Sequence, residues 1–134
     1  MNVDYNDGSL WTAHTIGYDW EDGAGPVAAI RWYEIDPTNA EVIQSGTFGD
    51  PETSYFHPHI KSDGDRTLIV HDFSGSQHFP GIKVAGRTAD FTRGKIEDSL
   101  IIQKGESPME HPPSFGRRDP VWWQDYTGVS VHPS

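Results

Sequence analysis

The chain has 134 residues, about one domain's worth, with 20 acidic residues against 10 basic ones, a net charge of −10 and no cysteine. That balance argues against a duplex nucleic-acid partner and against an anionic membrane surface, since both need basic side chains to displace counterions. The lack of cysteine excludes disulfides and thiolate metal sites. No apolar run approaches the ~18 residues of a membrane span, and "MNVDYNDGSL" lacks the layout of a signal peptide, so the expectation is a soluble chain without an export signal of its own.

Taken in chain order, short period-2 segments alternate with Gly, Pro, Asp and Asn. "NDG" (6–8) signals a turn, followed by strands over "SLWTAHTIG" (9–17), "VAAIRWYEI" (27–35) and "EVIQSGTF" (41–48). The loop "YDWEDGAGP" and the turn "DPTNA" separate them. After "GDPETS" come "YFHPHIKS" (55–62), the turn "DGD", "RTLIVHDFS" (66–74), "IKVAGRTADF" (82–91) and "KIEDSLIIQKG" (95–105). A polar, Pro-rich stretch over 106–120 precedes a last candidate strand in "WWQDYTGVSVHP" (122–133). No stretch carries a sustained 3.6-residue apolar stripe, so helix is nearly absent from this reading. Pro58 inside "YFHPHIK" points to a sheet edge or a bulge.

The chain echoes itself. The turn "NDG" (6–8) matches "SDG" (62–64), His14 matches His71, Arg31 matches Arg87, and Gln44 and Gly46 match Gln103 and Gly105. A period of about 50–60 residues with four strands per unit is the pattern of β-propeller blades. The expected fold class is therefore all-β, two four-stranded antiparallel blade units in a single partial domain over 1–134. In this reading the first blade supplies only strands b–d (1–50) and the second is whole (54–105). A loop follows (106–120), and 121–134 is strand a of a further or partner blade.

"YFHPHIKSDGDRTLIVHDFSGS" (55–76), followed by "FPGIKVAGRTADF" (79–91), resembles a stretch of sialidase-like, BNR-type β-propeller proteins. "WWQDYTGVSVHPS" (122–134) looks like that group's Trp-Gly-Asp-Tyr-Ser-Gly segment, and "LWTAHTI" with "IRWYEIDP" resembles the preceding blade. The likeness spans about residues 10–134. The chain departs from the pattern at His59, Trp122, Gln124 and His132. The resemblance implies an extracellular relative and a six-bladed ring. Because two blades alone leave apolar faces open, the chain is expected to self-associate. Three copies exchanging strand 121–133 would close the ring as a homotrimer.

Several residues are candidates for a site. His57 and His59, two apart on one strand, project to one face, expected to line the channel. They read as a chelating or sugar-binding pair, or as water-satisfied channel lining. Asp125 beside Tyr126 reads as an acid–base or hydroxyl-binding pair, or as a structural hydrogen bond. Arg31 and Arg87 read as carboxylate forks, or as strand-holding ion pairs with Asp36 or Asp90. Trp122 and Trp123, with Trp20, are candidate stacking platforms, and Trp11 and Trp32 candidate core. The Asp/Gly turns at 4–8 and 62–65 raise calcium weakly, since turn chemistry alone explains them. The functional expectation is a non-catalytic module binding a glycan or other small ligand at the channel mouth. A sialidase-like hydrolase with a site shared between subunits, and a propeller remnant serving assembly alone, are the alternatives.

Overall fold

The computed structural model describes residues 2–21, 25–108 and 127–132. Eight strands form two antiparallel meanders, β1 (Asn2–Asn6), β2 (Ser9–Tyr18), β3 (Val27–Asp36) and β4 (Glu41–Phe48) in the first sheet. The second holds β5 (Thr53–Asp63), β6 (Arg66–Gly75), β7 (His78–Thr88) and β8 (Leu100–Gln103). The all-β, two-by-four organisation expected from the alternation is what the chain adopts, and among the described residues no helix is long and apolar enough to cross a membrane.

Turn chemistry sets the registers. Asp7 and Gly8 both have positive φ (46° and 83°), which suits a two-residue hairpin loop matched to the strands' twist. The first sheet differs from expectation at its start. Asn2–Asn6 pairs with Ser9–Ala13, so this sheet owns a fourth strand instead of beginning at strand b. The alternation there is only five residues long and ends in a strong turn signal, which hid it. With that position filled, strand phase no longer calls for a strand donated by another copy.

The two sheets pack face to face through alternate residues. Trp11, Ala13, Ile30 and Trp32 from the first meet Tyr55, Ile60, Ile69 and Phe73 from the second, all buried. Trp11 and Trp32 stack with centroids 6.0 Å apart, as the core reading of both expected. Each buries on the order of 200 Å², or about 5 kcal/mol of transfer free energy. At the sheet–sheet seam, β1 caps the open edge of β5. The Asn2 carboxamide donates to the Ile60 carbonyl (2.9 Å) and accepts the Ile60 N–H (3.0 Å). Asp4 accepts the Ser62 N–H (2.8 Å) and pairs with Lys61 (2.5 Å). Side chains thus stand in for a neighbouring strand and blunt the edge.

The echo is one of strand order, not of residues. Along the ladders Arg31 pairs with His14 and Thr47 on the outward face of its sheet, whereas Arg87 pairs with Thr67 on the inward face. Residues matched by separation along the chain thus fall on opposite faces of their sheets, since an odd offset in register turns a side chain to the other face.

Candidate functional site

β5 carries a bulge where the sequence placed its proline. Phe56 faces Asp72 and His59 faces Val70, so His57 and Pro58 together oppose His71. The irregularity spares the ladder the N–H that Pro58 lacks. It also holds His57 at φ 50°, a left-handed conformation that costs a non-glycine residue on the order of 1 kcal/mol. Two hydrogen bonds offset that cost. His57 Nδ1 lies 3.0 Å from a carboxylate oxygen of Asp72, and the His57 carbonyl accepts the Thr127 hydroxyl (2.6 Å).

The bulge brings both histidines to one face. Asp72, His59 and Val70 share the outward face of the second sheet, away from the inter-sheet core, and the His57 ring reaches Asp72 there. His59 Nδ1 donates to the Thr127 carbonyl (2.9 Å). With Nδ1–H bound to an acceptor, the neutral form of each ring offers Nε2 as a lone pair. The His57 side chain is 36 % exposed over a fully buried Asp72 carboxylate. A buried carboxylate holding an exposed imidazole by Nδ1 fixes ring and tautomer, suiting the ring to accept a hydrogen bond at Nε2.

The other sequence candidates separate. Arg31 Nε donates to the Thr47 hydroxyl (2.9 Å), and Arg87 donates to the Phe91 carbonyl (3.2 Å) with its guanidinium carbon 5.5 Å from the Trp32 ring centroid. Burial lowers the pKa of Arg87, which Glu34 partly counters. Neither arginine takes the acid considered for it. Asp36 accepts the N–H (2.8 Å) and hydroxyl (2.7 Å) of Thr38, while Asp90 accepts the Thr88 hydroxyl, and these bonds lower both acids' pKa values. Both arginines hold strands and loops. Trp20 is half-buried, edge-on to Tyr18 (4.6 Å), rather than an open platform. Trp122, Trp123, Asp125 and Tyr126 lie outside the described residues.

Opposite the bulge the sheet's inward face carries a second polar group that the sequence reading passed over. His71 is fully buried, its Nδ1 3.0 Å from the Asp72 carbonyl and its Nε2 2.9 Å from the Ser99 hydroxyl. Burial, and behind it the nearby Lys83 charge, push its pKa down to about 4, so it is neutral near pH 7. Lys83, directly across the ladder, donates to the Tyr55 hydroxyl (2.6 Å). A line of hydrogen bonds thus crosses the sheet from His57 through Asp72 and His71 to Ser99. The alternation of "TLIVHDF" signalled this, since His71 shares a face with Ile69 and Phe73.

Compared with known proteins, the chain matches no family model, no curated protein and no solved structure. The class the structure defines is an all-β protein of two packed four-stranded antiparallel sheets with an imidazole pair at a bulged edge strand.

Proposed function

We propose that this chain is a non-catalytic ligand-binding module of β-propeller blade type that holds a glycan through His57 and His59. The observation that carries the reading is the strained, carboxylate-held His57 at the β5 bulge. Backbone strain and bulges gather where a side chain must be aimed. Two imidazoles with Nδ1 committed present two acceptors at fixed positions, a pattern suited to sugar hydroxyls. The sialidase-like resemblance of 55–91 agrees with a sugar as the ligand.

The module works as an assembly of copies. Strand exchange is no longer the reason. Instead, each outward face carries an apolar row across four strands: Tyr5, Leu10, Ile35 and Val42 on the first sheet, and Val70, Val84 and Leu100 beside His59 on the second. Tyr5 (65 % exposed), Val42 (54 %) and Leu100 (71 %) lie open on faces at opposite sides of the packed pair, which supports a head-to-tail association of copies, the kind that forms a ring where its rotation closes. Three copies would give six blades, and a copy seated on the Val70–Leu100 row would wall the histidine site. Glycan-array binding and a fluorogenic sialoside assay test the function. Binding without turnover supports the module. Turnover that Asp125→Asn abolishes would instead assign a sialidase-like hydrolase, and neither binding nor turnover leaves an assembly role.

A further inference from the structure

A second, separate pocket lies on the inward side, where the end of β4 and the 96–99 segment close over β5 and β7. Its volume is about 330 Å³, within the range of small-molecule sites. Lys83, Tyr55 and Ser99 line it, along with Asp50, Glu97 and Asp98.

The hydrogen-bond polarity of these groups is set by their partners. Lys83 is half-buried, with Nζ 4.5 Å from the Tyr55 ring centroid and 5.0 Å from that of Phe73. Among the described residues no carboxylate forms an ion pair with it, in a chain whose net charge is −10. The Tyr55 oxygen accepts from Lys83, which leaves the phenolic O–H as a donor. Ser99 is polarised the opposite way. His71 Nδ1 donates to the Asp72 carbonyl, so its Nε2 accepts the hydrogen bond donated by the Ser99 O–H, leaving the Ser99 lone pairs to accept. One part of the pocket therefore offers an ammonium and a phenol O–H, and the remainder offers a serine oxygen and three carboxylates.

A simple anion would meet Lys83 but be repelled by the acids, and a simple cation would meet the reverse. We propose that this pocket binds a small zwitterion of the amino-acid class. Its carboxylate sits on Lys83 and the Tyr55 hydroxyl, its ammonium on Ser99 and the acidic rim. The site lies on the opposite face of the sheet from the His57–His59 pair, to which the Asp72–His71–Ser99 line joins it.

Titration of the full chain with glycine, alanine and serine, followed by amide chemical shifts, tests this, with acetate and methylammonium as single-charge controls. The expected result is saturable shifts at Gly49, Asp50 and Ser99 for an amino acid, with both controls weaker by at least roughly tenfold, the effect of losing one charge-assisted contact. Lys83→Met abolishes the amino-acid response and Lys83→Arg retains part of it, which separates charge from folding. Folded Lys83→Met still binds the glycan taken by His57 and His59, so the two sites fail or hold separately. No saturable shifts with any of the three amino acids, or a response unchanged in folded Lys83→Met, overturns the proposal. So does acetate binding as tightly as glycine.

Discussion

Acidification acts first on His71. In the folded chain its imidazole is sealed between Tyr55, whose ring centroid is 4.5 Å away, Phe48 at 5.6 Å, and the Lys83 charge. Its pKa is about 4 there, against 6.5 in the unfolded chain. Between those values the unfolded state binds a proton that the folded state refuses. Stability contributed by neutral His71 is therefore intact above pH 6.5, declines as pH falls below it and is exhausted near pH 4. At about 1.4 kcal/mol per pH unit, the window removes about 3 kcal/mol, a large share of the 5–15 kcal/mol typical of a domain. Urea unfolding followed by tryptophan fluorescence, at half-unit steps from pH 7.5 to 4.5, measures it. Comparison with His71→Asn cancels the other titrating groups. The wild-type curve should fall below that of the variant, relative to their values at pH 7.5, by roughly 2 kcal/mol at pH 5. Parallel curves, or a His71 resonance titrating near pH 6.5, would refute the reasoning.

Three further outcomes are expected. Gly46→Ala drives a methyl into the Gly94 carbonyl and to within 2.8 Å of Trp32 Nε1, and should lower stability by about 2 kcal/mol in urea melts. Asp4→Ala strips the acceptor from the buried Ser62 N–H and the partner from Lys61, costing about 2 kcal/mol and accelerating hydrogen exchange at Ser62 above all. Leu100→Lys puts a charge on the outward apolar row of the second sheet and should reduce the mass seen by light scattering towards that of one chain, while the monomer's melting point moves little.

The strands legible in the sequence were those whose alternation ran at least eight residues between turn residues. β1 escaped because five residues before "NDG" read as a lead-in, and β8 shrank because "KIEDS" docks by only one backbone bond near β7, Glu97 N–H to the Gly86 carbonyl (2.9 Å). Pro58 did announce the bulge. The bulge's consequence could not be read, since the ladder slip that brings Asp72 under His57 depends on pairing between strands. Register between strands likewise decides Arg31 and Arg87, matched by separation along the chain but facing opposite ways. His57 and His59 were legible as a pair from spacing alone. The Lys83 pocket was not, because it exists only where the 96–99 segment folds back over β7 against the end of β4.

The central claim is that His57 and His59 accept a ligand's hydroxyl groups through Nε2. Long-range proton–nitrogen correlation spectra of the imidazoles, recorded while a glycan selected on the array is titrated in, test it directly. Both rings should begin as the Nδ1–H form, and both Nε2 resonances should shift along one saturation curve that His57→Ala removes. Nε2 resonances that stay fixed while the glycan saturates shifts elsewhere on the chain would contradict the account.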